Sequence, residues 1–171
     1  VEGYNDVIAW HKYGLENTVA SSGTAISTTQ LEMIKKLTSK VTLCFDADAA
    51  GKKALLKHLP ILISQGLSVE VCQLPENVAK DPDEFSRSQE FAEGELEKTL
   101  QPYIINGFQL LLLEKLHGDE LDRANGLKEL VQIIAKIPDY SLQNIYKDRL
   151  VKEGKQKLAV INSLFKEIES A

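Results

Sequence analysis

The chain has 171 residues, of which 43% are hydrophobic and 26% charged, as in a compact soluble domain with room for a small appended subdomain. Its longest helix-like apolar stretch, residues 110–113, is far shorter than the roughly 20 residues that span a bilayer, which argues against a membrane segment. A net charge of −5 argues against the chain holding a polyanion by itself, because neutralising phosphates requires clustered Lys and Arg.

The first predicted elements are a short helix and a strand. The pattern predicts a helix at residues 6–13 that ends at Gly14, because glycine readily adopts the left-handed turn that stops a helix. A strand at residues 18–20 should follow. Ser27 and Gln30 then form a capping-box pattern, which predicts the start of a second helix.

Two strand-like runs flank the third predicted helix. Residues 41–45 are almost wholly apolar, which is typical of a parallel strand buried on both faces. A helix at residues 50–64 should be kinked or split by Pro60. Residues 69–74 form the next strand. This alternation predicts an α/β fold with a small parallel sheet flanked by helices.

The second half of the chain is helical in pattern throughout, from about Phe85 onward. Gly118, Pro138 and Gly154 separate the predicted helices. These helices are expected at residues 102–117, 121–136, 142–152 and 155–169. We therefore expect an α/β domain at residues 1–84, followed by an α-helical subdomain at residues 85–171.

The cysteines and histidines do not have the spacing of a metal site. Cys44 and Cys72 lie in separate strand-like runs, and we expect buried free thiols in a reducing cytoplasm. His11, His58 and His117 are too scattered for a zinc site, so we expect solvated or partly buried imidazoles.

Acidic residues follow the predicted strands, at the edge where open parallel sheets bind ligands. Asp46 ends a strand, and a residue two positions further along an extended chain points the same way, so Asp46 and Asp48 can converge on one cation. Hard carboxylate oxygens suit Mg²⁺ or Mn²⁺. Other segments add Glu2, Asp81 and Asp83.

These acids also have purely structural explanations. Asp48 is a suitable N-cap for the third helix, and Asp81 suits an N-cap that is followed by Pro82 and Glu84. Local physical chemistry leaves capping and metal binding open for both residues. Glu2 considered alone is uninformative.

Four motifs resemble, in order and approximate spacing, the Toprim region of DnaG-type primases. They are VEGYNDV at residues 1–7, ASSGTA at 20–25, FDADAAG at 45–51 and KDPDEF at 80–85. Residues 122–146 also resemble the helices that follow Toprim in those enzymes, so the resemblance covers roughly residues 1–152. The chain departs from the family at Asn5, where many members have methionine, and at Pro60.

The resemblance implies a catalytic metal site. Its catalytic residues would be Glu2, Asp46 and Asp48. The acids implied to hold Mg²⁺ or Mn²⁺ are Glu2, Asp6, Asp46, Asp48, Asp81 and Asp83.

Two turns and two lysines are candidates for contacts with phosphate. Backbone N–H groups at a helix start bind anions, although ordinary strand-to-helix turns explain both glycine-containing segments equally well. The lysines lie beside the acids in the sequence. The candidates are Ser22, Gly23, Thr24, Gly51, Lys52 and Lys80.

The implied function is synthesis of short RNA primers for DNA replication by divalent-metal-dependent nucleotidyl transfer. The implied partners are a single-stranded DNA template, nucleoside triphosphates, the RNA primer, and the replicative helicase through a domain absent from this chain, with no membrane partner. The setting would be the cytoplasm, at nucleoid replication forks. Because the chain starts at Val1 without a methionine or leader, we expect a fragment that is inactive alone.

Other Toprim proteins are the alternatives. Topoisomerases and nucleases use the same acids for strand cleavage, and recombination mediators act mainly as DNA-binding modules. Topoisomerases need a catalytic tyrosine on another domain, and a phage primase fused to a helicase would carry a P-loop, which is not present here. A non-catalytic interaction module, with the acids as caps and the helical half as a docking surface, would show no specific Mn²⁺ binding.

Overall fold

The computed structural model of the protein describes residues 1–22, 26–88, 90–92 and 94–170. By packing, the chain divides into two compact units. The first contains residues 1–58 and 69–106, and the second contains residues 59–68 together with the chain from Gly107 onward. The boundary expected after residue 84, between the α/β domain and the helical subdomain, stays a prediction.

Helices account for most of the described chain. They are α1 (Tyr4–Lys12), α2 (Thr28–Leu37), α3 (Ala49–Ser64), α4 (Pro82–Arg87), α5 (Glu95–Leu100), α6 (Gly107–Lys115), α7 (Glu120–Ala135), α8 (Tyr140–Lys152) and α9 (Leu158–Glu169). The strands are β1 (Lys40–Leu43), β2 (Ser68–Cys72) and β3 (Ile104–Asn106). No helix in these described ranges is both long enough and apolar enough to cross a bilayer.

The predicted α/β class is confirmed, with one strand that the sequence reading missed. The described strands form a sheet of order β1-β2-β3, and β3 runs antiparallel to β2, with Glu70 opposite Asn106 and Cys72 opposite Ile104. The sheet is therefore mixed rather than wholly parallel. The helix predicted at residues 102–117 begins only at Gly107, because β-branched Ile104 and Ile105 favour a strand.

Two other expectations about strands are wrong. Residues 18–20 are not a strand, although the Val1 amino group donates to the Val19 carbonyl and the Ser21 N–H donates to the Val1 carbonyl. The strand expected at residues 41–45 is not buried throughout. Thr42 is exposed because it lies on the face of β1 that also carries Lys40 and is open to solvent, and burial begins at Leu43 on the other face.

The remaining helix predictions agree with the structure to within three residues. Pro60 does not split α3, which is assigned as one helix. The capping box of Ser27 and Gln30 is present at the start of α2. In the second unit, α7, α8 and α9 match three predicted helices, and Asp119 and Asp139 cap α7 and α8.

A hydrophobic core in the first unit supports the acidic region. Trp10, Cys44, Cys72 and Phe85 are buried in one cluster. The expected buried free thiols are confirmed, and contact with the Cys72 thiol, together with burial, raises the pKa of Cys44 well above its usual value.

Candidate metal centre

Acids from three separate segments of the chain surround Asp46. Burial, and after it the negative charges of nearby carboxylates, together raise the pKa of Asp46 to about 6. Those carboxylates belong to Glu2, Asp6, Asp81 and Asp48. The structure therefore brings together acids that are more than 70 residues apart in the sequence. A nearby positive charge would stabilise the ionised form of Asp46.

Main-chain hydrogen bonds set the positions of these segments. The Asp46 N–H donates to Oε1 of Glu2 at 3.2 Å, and the Ser22 N–H donates to the Glu2 carbonyl at 3.1 Å. The Ala47 N–H donates to the Lys80 carbonyl at 2.7 Å. The segments at residues 1–2, 46–48 and 80–83 are thus fixed side by side.

Asp6 joins two of these segments through its own carboxylate. It is buried in α1, where Oδ2 accepts from the Gly3 N–H at 3.0 Å and Oδ1 accepts from the Asp83 N–H at 3.3 Å. One turn further along α1, the Trp10 indole N–H donates to the Pro82 carbonyl at 2.9 Å. Helix α1 therefore holds the backbone of the segment that carries Asp81 and Asp83.

Two of the predicted ligands also act as helix caps. Oδ1 of Asp48 accepts from the Gly51 N–H at 2.8 Å, and Oδ1 of Asp81 accepts from the Glu84 N–H at 2.6 Å. The capping explanation is thus correct for both residues. It does not exclude metal binding, because an ionised carboxylate has about four acceptor positions on two oxygens.

The donor chemistry fits a hard divalent cation, although the ligands are not converged. Within the described residues, no three His, Cys, Asp or Glu side chains form a ready-made metal-holding group. Asp83 pairs with Arg87 at 2.8 Å, and Asp6 accepts from two amides. The candidate ligands are nevertheless carboxylate oxygens, which Mg²⁺ and Mn²⁺ prefer. Their negative charges repel one another around Asp46, and a bound cation would relieve that repulsion.

Gly51 is needed where α3 approaches the strand end. A Cβ at this position would lie 2.1 Å from the Asp46 carbonyl oxygen, so only glycine fits without a backbone shift. Gly51 therefore allows a close approach of the chain to itself, and its N–H donates to Asp48.

The other candidates for phosphate contacts are only partly described. Ser22 is exposed and adopts φ of +52°, a conformation that is uncommon outside glycine. Gly23 and Thr24 lie outside the described residues. Lys52 and Lys80 are exposed.

His58 is fully buried, whereas a solvated or partly buried imidazole was expected. Its Nε2 accepts from the Ile26 N–H at 3.0 Å, which requires the proton to be on Nδ1, where the Ala54 carbonyl accepts it at 2.6 Å. The Phe45 ring packs edge-on against the imidazole. The signal was available, since His58 lies three residues after Leu55 and four before Leu62 on the apolar face of α3.

Known proteins similar to the chain agree with this fold. The Toprim-like family matches residues 1–86, which is half of the chain. A DNA primase of Clostridium acetobutylicum is 45% identical over 87 residues, which cover 51% of this chain and 14% of that protein. The chain thus spans about a seventh of the length of this curated relative.

Solved structures extend the similarity to almost the whole chain. A DNA primase domain from Pseudomonas aeruginosa aligns with a TM-score of 0.78 and 29% identity, over 97% of this chain and 53% of that one. The DnaG primase catalytic domain bound to ssDNA aligns with a TM-score of 0.68 and 25% identity, over 91% of this chain and 50% of that one. The chain therefore belongs to the Toprim-like family, and its similarity to DnaG primase catalytic cores includes the helices that follow the Toprim segment.

Proposed function

We propose that the chain is the metal-holding catalytic part of a DNA primase, which extends a short RNA primer on a single-stranded DNA template. The observation that carries the proposal is the crowding of carboxylates from three segments around Asp46. The primase name of the Clostridium relative and the ssDNA bound to one structural neighbour support the choice of reaction and template.

In this reaction the 3′-hydroxyl of one nucleotide attacks the α-phosphorus of a nucleoside triphosphate, and pyrophosphate leaves. A bound Mg²⁺ or Mn²⁺ would neutralise the charge that grows on the phosphoryl oxygens. Asp46 and Asp48 would hold it, with Asp81 and Asp83 as further ligands. Glu2 would ligate the metal or move a proton, while Asp6 holds Gly3 and Asp83 in place.

Contacts with the triphosphate are proposed at the exposed edge of the same site. The exposed side chains of Lys52 and Lys80 would supply positive charge to the triphosphate. Ser22, Gly23 and Thr24 are proposed as further contacts, of which Gly23 and Thr24 lie outside the described residues. Gly51 would have a structural role instead. Its N–H donates to the capping carboxylate of Asp48, and its lack of a side chain allows the close approach to Asp46.

Primer synthesis is proposed to need more than these 171 residues. The chain spans 14% of the Clostridium primase and carries a net charge of −5, which does not suit it to hold a DNA template alone. The replicative helicase would bind through a domain absent from this chain, and the whole enzyme would work at replication forks in the cytoplasm.

Manganese binding tests the metal site in the chain itself. Electron paramagnetic resonance during Mn²⁺ titration should show specific binding, and Asp46→Asn or Asp48→Asn should weaken it while the circular dichroism spectrum stays the same. No specific Mn²⁺ binding would leave the acids as helix caps and would refute the proposal.

Activity is tested in a chimaera, the Clostridium primase with its matched segment replaced by residues 1–86. We expect the chimaera to make primers on single-stranded DNA and its Asp46→Asn variant to make none. A chimaera whose synthesis survives Asp46→Asn would refute the catalytic assignment, and one that cleaves DNA instead would favour the nuclease-like alternative.

A further inference from the structure

We propose that Trp10 is a positioning residue for the metal site, which acts through its indole N–H on the backbone between Asp81 and Asp83. The inference rests on the proposed metal site. It assigns Trp10 no contact with metal or substrate.

The geometry joins two elements that are distant in sequence. The Trp10 indole N–H donates to the Pro82 carbonyl at 2.9 Å in a buried environment, and Trp10 itself is 5% exposed. Asp6 lies four residues earlier on α1 and therefore on the same face, and its Oδ1 accepts from the Asp83 N–H at 3.3 Å. One face of α1 thus holds two consecutive backbone groups, the carbonyl of Pro82 and the N–H of Asp83.

Helix α4 depends on such outside support because it is very short. It has six residues, Pro82–Arg87, whereas isolated helices below about 12 residues are marginal in water. Asp81 caps it from within, and Trp10 and Asp6 hold its first turn from α1. Without the indole N–H, the first turn loses one of its two bonds to α1 and can shift, together with the carboxylates of Asp81 and Asp83.

The Trp10 ring contributes to core packing and its N–H to the bond with Pro82, and an experiment can distinguish these two contributions. The ring packs in the core of the first unit, so Trp10→Ala would disturb packing as well as the hydrogen bond. The chain contains one tryptophan, so biosynthetic replacement of tryptophan changes this position alone. Benzothienylalanine keeps the bicyclic shape and replaces the N–H with sulfur, whereas 5-fluorotryptophan keeps the N–H.

The experiment measures Mn²⁺ affinity and thermal stability on each form of the full chain. We expect the sulfur analogue to bind Mn²⁺ about 10-fold more weakly, the range seen when groups that orient metal ligands are removed. The 5-fluorotryptophan form should bind Mn²⁺ as the unaltered chain does.

A matched variant in the second unit controls for a general loss of stability. Gln143 is also buried and donates to the Ile137 carbonyl at 2.7 Å, so Gln143→Met removes a comparable side-chain-to-backbone bond away from the acids. It should lower the melting temperature without changing Mn²⁺ affinity.

Two results would overturn the inference about Trp10 alone: unchanged affinity in the sulfur analogue, or an equal loss of affinity in Gln143→Met. Failure of the unaltered chain to bind Mn²⁺ would overturn the metal site and the role of Trp10 together.

Discussion

The Ala47 N–H donates to the Lys80 carbonyl at 2.7 Å, and this bond joins the two segments that carry the aspartate pairs. It uses backbone atoms only. Asp46 lies beside Ala47, and Asp81 beside Lys80, so the carboxylates are brought together without the participation of their own oxygens. Substitution of Asp46 is therefore expected to change the charge of the site without dismantling it.

Asp46→Asn should stabilise the metal-free protein at neutral pH. Burial and neighbouring carboxylates raise the pKa of Asp46 to about 6, above the value near 3.9 of an unfolded chain. The folded state therefore binds the proton more tightly, and the resulting stability is present below about pH 4 and lost as the pH rises through about 6. At pH 7.5 the ionised Asp46 is destabilising, and asparagine removes that charge.

Thermal unfolding without metal checks this sign. The melting temperature of Asp46→Asn should exceed that of the unaltered chain at pH 7.5, and the difference should shrink toward pH 4. A lower melting temperature for the variant at pH 7.5 would contradict the crowding of charge around Asp46.

Mn²⁺ affinity should fall as the pH drops through about 6, because a proton and the metal compete for the Asp46 carboxylate. Calorimetric titrations between pH 5 and 8 should show affinity rising up to about pH 7 and then levelling. An affinity that does not change across this range would exclude Asp46 as a ligand.

Substitutions at Asp48 should separate its role as a helix cap from its role as a metal ligand. Asp48→Asn keeps an oxygen that accepts from the Gly51 N–H, whereas Asp48→Ala loses the cap at a cost of about 1 kcal/mol. Both variants should bind Mn²⁺ weakly, but only Asp48→Ala should lose stability in urea unfolding. Normal Mn²⁺ binding by Asp48→Asn would show that Asp48 is only a cap.

Elements with strong local signals were predictable from the sequence. The capping box of Ser27 and Gln30 and the helices α7, α8 and α9 carry their own start and stop residues, so they lie close to where the pattern placed them. Strand β3 was missed because it has three residues, and its strand state depends on pairing with β2. The exposed face of β1 was also not readable, because the packing of other elements on the sheet decides which face is covered.

The acids of the candidate site were found from motifs, but their contacts were not. Nothing local to Asp6 indicates that it accepts from the Asp83 N–H, and nothing local to Trp10 indicates that it donates to Pro82. Such bonds join residues more than 70 positions apart, and a periodic pattern carries no information about them. The burial of His58 was readable from helical spacing, but its bond to Ile26 was not.

His58→Phe should destabilise the protein although it conserves an aromatic ring. The partly buried Ile26 N–H would lose its acceptor, and a fully buried unsatisfied N–H costs about 1–3 kcal/mol, so we expect a loss toward the lower end of that range. Urea unfolding measures the loss. Nitrogen-15 NMR of the unaltered chain should show the proton on Nδ1, and a proton on Nε2 would contradict the bond from Ile26.

Gly51→Ala should impair stability and metal binding together. An added Cβ would lie 2.1 Å from the Asp46 carbonyl oxygen and 2.9 Å from the Asp46 nitrogen, so α3 and the Asp46 backbone must move apart. Overpacking of this kind costs about 1–3 kcal/mol, and the shift also displaces the carboxylate that the proposed site depends on. Gly3→Ala is a suitable control, because its Cβ would meet Oδ2 of Asp6 at an ordinary 3.6 Å. Urea unfolding and Mn²⁺ titration of both variants should show a clear loss for Gly51→Ala and little for Gly3→Ala. If Gly51→Ala kept full stability, the close packing of α3 against Asp46 would be incorrect.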